Sequence, residues 1–173
     1  MSLVDSGLSS LMAVDVCAGY TQQGAQPKIV VHGASLSVAQ GELVAILGPN
    51  GSGKTTLLKT CMGLLPPLGG LIRLGDQPLS SLNNRQRARL AAWVPQQADS
   101  SWSYSARELV AQGLYARLGP FGSFGHKERM AVDEALAAMD ASDFSERQLN
   151  QLSGGEARRV LLARALAQGT QLL

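Results

Sequence analysis

Nine consecutive residues constrain this chain more than any other stretch: Gly48-Pro49-Asn50-Gly51-Ser52-Gly53-Lys54-Thr55-Thr56. They contain the pattern G-x-x-x-x-G-K-[ST], with Gly48, Gly53, Lys54 and Thr55 at its fixed positions. Upstream, Leu43-Val44-Ala45-Ile46-Leu47 is an unbroken apolar run, which predicts a strand buried on both faces of a parallel sheet. Downstream, Lys54 to Met62 reads as a helix, with Leu57, Leu58 and Cys61 at helical spacing. Strand, glycine-rich loop and helix in that order make a phosphate cradle. The glycines let backbone N–H groups curl around an anion without Cβ interference, and the helix start adds unsatisfied donors and a positive dipole end. Lys54 supplies a point charge for the outer phosphates, and the Thr55 hydroxyl can ligate Mg²⁺. A glycine-rich turn that merely caps a helix would not need both flanks. The expected ligand is a nucleoside triphosphate.

Composition narrows the rest. A length of 173 residues predicts one domain with a real core, and 45% hydrophobic against 16% charged residues suits an ordered α/β chain. The net charge of +2 is too small to imply a nucleic-acid partner, which needs clustered Lys and Arg, so none is expected. Arg85, Arg87 and Arg89, and separately Arg158 and Arg159, read as solvated helix surface. Cys17 and Cys61 stand far apart in apolar surroundings and read as small core residues of a reducing compartment. No run approaches the roughly 18 apolar residues of a membrane span. Asp5 and the lack of a basic N-terminal region argue against a signal peptide. A cytoplasmic chain is expected, reaching a membrane only through a partner.

Along the chain, Leu11 to Ala18 reads as a first strand, followed by Gly19, Tyr20 and a polar stretch up to Pro27. Lys28 to Val31 predicts a second strand leading into Ala34 to Ala39, where Leu36 and Val38 alternate with Ser35 and Ser37. After the first helix, Leu65-Pro66-Pro67 stops regular structure and Gly69-Gly70 is expected to turn the chain. Leu71 to Leu74 predicts a short strand closed by the hairpin signal Gly75-Asp76. Asn83 or Asn84 caps a short basic helix to Leu90, and Ala91-Ala92-Trp93-Val94 predicts a core strand ended by Pro95.

Beyond Pro95 the pattern changes to helices alone. Ser105-x-x-Glu108 is a capping box opening a helix with Ala106, Leu109, Val110, Gly113 and Leu114 on one face. Residues 119–125 read as a Gly/Phe loop. A second amphipathic helix is expected at about 128–139, burying Val132, Ala135, Leu136 and Met139. Leu152-Ser153-Gly154-Gly155-Glu156 then opens a helix through Ala167. Ser153 and Glu156 alone suffice for a capping box. The two glycines add nothing to a cap and cost on the order of 1 kcal/mol each inside a helix, whereas a phosphate approaching the backbone benefits from them.

Together these residues resemble the nucleotide-binding domain of ABC transporters. The phosphate loop is shared with many nucleotide-binding families, but Leu152-Ser153-Gly154-Gly155-Glu156 is similar to this family's signature motif. The resemblance runs from about residue 11 to the end. It implies an α/β fold: a P-loop NTPase core with a mixed sheet and helices, an antiparallel β part and a helical subdomain. The implied organisation is one partial domain. It divides into a β-rich and phosphate-loop core at about 11–95, a glutamine loop and helical subdomain at 96–150, and the signature motif and its helix at 151–173.

The resemblance also implies roles. ATP and Mg²⁺ are the expected ligands. Tyr20 sits where the family stacks an aromatic on adenine. Gln96 looks like the glutamine that touches Mg²⁺ and the attacking water, with Gln97 one position away. Two such domains would pack head to tail, as a homodimer or pseudo-dimer, with Ser153, Gly154, Gly155 and Glu156 meeting the nucleotide of the partner. A transmembrane permease would hold the protein at the inner face of the membrane. Trp102 and Tyr104 would then contribute either to the surface that receives it or to a small apolar cluster under their loop. Leu74-Gly75-Asp76-Gln77-Pro78-Leu79, Arg87-Ala88-Arg89-Leu90-Ala91 and Arg107-Glu108-Leu109-Val110 look most like importers of iron chelates (iron-siderophores), haem or cobalamin. Two other readings are a non-hydrolytic module that dimerises on ATP and a soluble family ATPase without a permease. The chain departs from the family pattern at Gln171-Leu172-Leu173, before the Asp that steadies Mg²⁺, the Glu that polarises water and the switch histidine. His32 and His126 both precede the signature motif, so neither can be that histidine. C-terminal truncation, and no ATP hydrolysis by residues 1–173 alone, are therefore expected.

Overall fold

The structure is a computed structural model that describes residues 9–21, 24, 26–96, 103–118 and 122–173. Asp5, Gln97, Trp102 and part of the 119–125 loop lie outside the described residues. The chain divides into two compact units, one of residues 1–90 with Leu172 and one of residues 91–171 with Leu173. The fold is α/β: an antiparallel sheet with helices in the first unit, helices in the second.

The sheet of the first unit comprises β1 (Ser9–Tyr20), β2 (Lys28–Ala39), β3 (Gly69–Leu74) and β4 (Gln77–Pro78), in the order β2-β1-β3-β4 and antiparallel throughout. β1 and β2 run longer than expected. Gly19 and Tyr20 belong to β1, and the two stretches on either side of His32 form one strand. The buried residues of β1 are Leu11 and Ala13, then Val16 and Ala18, so the inward face changes parity in mid-strand. A β-bulge does this: one extra residue shifts the register and lets both halves present apolar side chains to the same face. The register with β2 slips between Ala13 and Val16, and Asp15 takes a positive φ of 50° there. Its N–H donates to Ser35 Oγ at 2.9 Å.

The bulge explains a glycine pair. Gly69 and Gly70 do not turn the chain, as expected from sequence, but lie inside β3. Gly70 has φ +83° and faces the bulge, where a Cβ would sit 2.4 Å from the Asp15 carbonyl oxygen. Only glycine fits such an approach. The hairpin at Gly75-Asp76 forms as expected, joining β3 to β4.

Helix α1 (Lys54–Cys61) buries Thr56, Leu57, Thr60 and Cys61, while Leu58 is exposed, so its inward stripe is half polar. Thr60 is accommodated because its hydroxyl donates to the Thr56 carbonyl at 2.9 Å. Burial also pushes the Cys61 thiol up to about 11. Helix α2 (Asn84–Leu90) is capped by Asn83, whose side chain accepts from Gln86 N–H while Gln86 Oε1 accepts from Asn83 N–H, both at 2.9 Å. Arg87 is not solvated surface. Its guanidinium donates to the carbonyls of Gly63 and Leu79, bracing the chain just past α1.

Two strands expected from apolar runs are not formed. Residues 42–49 carry no strand, with Leu43 95% and Leu47 89% exposed. Ala91 to Val94 holds a single bridge residue, Ala91, followed by irregular backbone. An apolar run becomes a strand only when neighbouring strands accept its backbone N–H and C=O groups. Among the described residues, no strand pairs with 43–47.

The second unit is helical: α3 (Ala106–Gln112), α4 (Tyr115–Leu118), α5 (His126–Ala138) and α6 (Gly154–Gln168). One core joins Ala106, Leu109 and Val110 of α3, Val132 and Leu136 of α5, and Val160 and Leu161 of α6, with Met139 packed at its edge. The expected capping box of α3 forms, and its first two N–H groups donate to the carbonyls of Arg147 and Ser145. Arg107 ties α3 to Asp133 of α5 and to Glu146.

Leu74, buried at the end of β3, and Leu47, exposed, are expected to respond differently to truncation. Leu74→Ala should cost about 2–5 kcal/mol, and Leu47→Ser should stay within about 0.5 kcal/mol, read from urea midpoints of the 173-residue chain. A loss at Leu47 matching that at Leu74 would show that the 43–47 run is packed.

Candidate functional site

The phosphate-loop residues lie between the 42–49 segment and α1. The N-cap of α1 is Gly53 in the left-handed region, φ 91° and ψ 6°, with no side-chain cap. A Cβ at Gly53 would sit 2.8 Å from Val31 Cγ2 and 3.1 Å from Val30 Cγ1, so β2 presses on the loop where only glycine fits. The first intrahelical bond runs from Leu57 N–H to the Gly53 carbonyl at 2.8 Å. The N–H groups of Lys54, Thr55 and Thr56 are thus left at an uncapped helix start, the arrangement that binds anions.

Lys54 Nζ donates to the carbonyls of Gly48 at 2.8 Å and Pro49 at 2.7 Å. The lysine arches over the loop and poises its ammonium on the concave side. Thr55 is exposed, whereas Thr56 is buried and is the hydroxyl the fold uses: Tyr20 Oη and Thr56 Oγ1 are 3.2 Å apart. That bond holds Tyr20, about half exposed, beside the first turn of α1. Sequence reading placed Tyr20 near the loop by resemblance but missed its tie to Thr56. The only signal available was a second hydroxyl residue after the lysine.

In the second unit, the Ser153–Glu156 capping box is complete. Ser153 Oγ accepts from Glu156 N–H at 3.3 Å, and Glu156 Oε2 accepts from Ser153 N–H at 2.8 Å. Gly154 and Gly155 are exposed, and a Cβ on either would meet nothing within 4 Å among the described residues. Packing inside the chain therefore does not require glycine at either position. The side chain of Gln96 is exposed. Tyr104 is exposed too, and its carbonyl accepts from Leu149 N–H.

The arginines after the motif lie exposed on the helix surface, as expected, but each also holds a partner distant in sequence. Arg158 Nη1 donates to the carbonyls of Pro95 and Gln96. Arg159 donates to the Asp140 carbonyl at 3.1 Å and lies over the Phe144 ring, 5.4 Å from its centroid. Hydrogen bonds to the Ser153 side chain and N–H, with Arg147 and Arg159 nearby, hold the Glu156 carboxyl below the usual glutamate range.

The sequence profile of the ABC transporter family matches residues 31–173. This chain belongs to the ABC transporter family. It is 41% identical over 152 residues to the hemin import ATP-binding protein HmuV of Rhodopseudomonas palustris, covering 87% of this chain and 54% of that protein. It is 37% identical over 147 residues to the manganese transport system ATP-binding protein MntB of Listeria monocytogenes, covering 84% of this chain and 59% of that protein. The chain thus spans little more than half the length of these curated relatives. Among solved structures, a dimeric ATP-binding cassette in a post-hydrolysis state, bound to ADP and Pi, superposes with a TM-score of 0.79 at 27% identity. That superposition covers 92% of this chain and 70% of the cassette. None of the described helices is long and apolar enough to cross a membrane.

Because the folded pKa of Glu156 is depressed, its contribution to stability is complete above the unfolded-chain value of about 4.3 and is lost as pH falls through the lower folded value. Glu156→Gln keeps an acceptor but no charge. Urea unfolding across a pH series should show the wild type ahead at neutral pH and level with Glu156→Gln in acid. A gap that persists in acid would point to packing instead.

Proposed function

We propose that this chain is the ATP-binding part of an ABC-type membrane importer, one that couples ATP binding and hydrolysis to transport. The observation that carries the reading is the glycine-capped start of α1, with Lys54 arched over the loop that precedes it. Its uncapped N–H groups and the ammonium would hold the phosphates, with Gly48 to Thr56 wrapped around them. Tyr20, steadied by Thr56, would present its ring to adenine. The exposed Thr55 hydroxyl and the Gln96 side chain would hold Mg²⁺, which supplies charge neutralisation at the phosphates. The fit rests on their chemistry, two neutral oxygen donors suited to a hard cation that keeps water and phosphate as its other ligands.

Ser153, Gly154, Gly155 and Glu156 would serve a second copy of the domain. Their helix start is exposed, and among the described residues no packing contact calls for glycine at 154 or 155. The pairing of two domains is further supported by the dimeric cassette of similar fold. A permease partner, and with it placement at the cytoplasmic face of a membrane, follows from the importer reading, with Tyr104 and Trp102 as part of the receiving surface. For the cargo we propose an iron chelate, haem or cobalamin. The haem-importing relative supports that class, while the similarly related manganese subunit shows that the ATP-binding chain records its cargo only faintly.

Two measurements test this reading. In the full-length protein, Lys54→Ala should weaken ATP binding at least tenfold, about 1.4 kcal/mol, while the backbone cradle remains. Unchanged affinity in a titration would sink the assignment. The 173-residue chain by itself should bind ATP without turning it over. In its first unit Asp15 is engaged with Ser35, Glu42 accepts from Ala39 N–H, and Asp76 lies in the β3–β4 turn, so none of these carboxylates is hydrogen-bonded to the phosphate loop. Steady, Lys54-dependent phosphate release by residues 1–173 would overturn that expectation.

A further inference from the structure

The segment of residues 91–96 is hydrogen-bonded to α6 at both its ends, and its middle packs against the helical core. At its start, Gln168 Nε2 donates to the Ala91 carbonyl at 3.1 Å. In the middle, Val94 packs against the helical core. At its end, Arg158 Nη1 bridges two successive carbonyls, Pro95 at 2.9 Å and Gln96 at 3.4 Å. The order is reversed: the late helical residue holds the early part of the segment, and the early helical residue holds its end.

The spacing agrees with an extended chain laid antiparallel along the helix. Ten helical residues separate Arg158 from Gln168, about 15 Å of rise. Extended backbone from Ala91 to Pro95 or Gln96 covers about 13 to 17 Å. The two lengths match, so both hydrogen-bonded attachments can be made by one stretch of chain. Arg158 lies one turn inside α6, close to the end opened by Ser153, Gly154 and Gly155. One guanidinium therefore joins the peptide of Gln96 to the helix that begins with the signature glycines. A single nitrogen shared by two adjacent carbonyls fixes where that peptide lies, which an arginine without such partners would not do.

We propose that Arg158 is a positioning residue that locks Gln96 to the Ser153-Gly154-Gly155 end of α6, so that the two move as one body. The consequence for turnover rests on the proposed function. If Gln96 serves the nucleotide on its own chain and the glycines serve the nucleotide on a second copy, the bridge transmits the closure of one onto the geometry of the other. Arg158 itself touches neither nucleotide. Its loss should then leave binding intact and slow the step that needs both groups in register.

The test uses the full-length protein with Arg158→Met, which keeps the stem and removes the donors, and Arg158→Lys, which restores one cationic donor. Hydrogen exchange of the Arg158→Met protein should speed up at 91–96 while α6 and the unfolding midpoint stay as in the wild type. ATP affinity should remain within twofold, kcat should fall at least tenfold at saturating ATP, and Arg158→Lys should recover much of it. Unchanged exchange at 91–96 would overturn the bridge. Faster exchange with an unchanged kcat would reduce Arg158 to a structural tie and overturn the positioning role. A kcat loss tracking a lowered unfolding midpoint, without rescue by lysine, would do the same. A wild-type protein lacking Lys54-dependent hydrolysis would retire the proposed function itself, a result the exchange data keep separate from the bridge.

Discussion

The contact between Gly53 and the valines of β2 governs the first unit. With Val30 and Val31 against it, position 53 has no room for a side chain, and its left-handed backbone starts α1 without a side-chain cap. Almost any other small polar residue there would satisfy the helix start internally. Glycine leaves three N–H groups for an anion and lets Lys54 fold back over the loop. The strand that presses on Gly53 is itself held by the bulged β1, whose register lets both its halves face the core. The uncapped helix start and the sheet packing therefore rest on the same few ångströms of steric exclusion.

The second unit solves the helix-start problem the other way. Ser153 and Glu156 close the first turn of α6 with reciprocal hydrogen bonds, and Glu156 is kept ionised by them. A helix already capped in this way gains little from glycine inside its first turn, yet Gly154 and Gly155 are there and face outward. The cap secures the helix while the glycines leave its surface bare. Behind them, Arg158 and Arg159 reach in opposite directions, one to the Pro95 and Gln96 carbonyls and one to Asp140 and Phe144. Charge-assisted bonds to carbonyls outside any ladder give these loops definite positions without burying a charge.

Local chemistry made much of this legible in advance. The start of α1 at Lys54, the capping boxes at Ser105 and Ser153, the hairpin at Gly75-Asp76 and the inward stripes of α3 and α5 all depend on residues within one or two turns of each other. Short-range rules reach that far. Family membership was equally readable, because two separated motifs with different physical demands occur in one chain. The partners of the arginines were not readable for a complementary reason: they are backbone carbonyls of residues distant in sequence, and a carbonyl has no letter.

What the sequence determined by itself, then, is the set of local conformations: where helices begin, which face is apolar, and where backbone donors are left open to an anion. Tertiary structure alone decided whether an apolar run becomes a strand. Leu43 to Leu47 and Ala91 to Val94 have the composition of buried strands, but a strand exists only when other backbone completes its hydrogen bonds, and no local rule supplies that backbone. It also decided that Gly70 serves a bulge and not a turn, since that depends on Asp15, whose carbonyl another strand brings close to it. The division follows from range: torsional preference and capping act over a few residues, whereas ladder pairing and close approach depend on which distant segments the fold brings together.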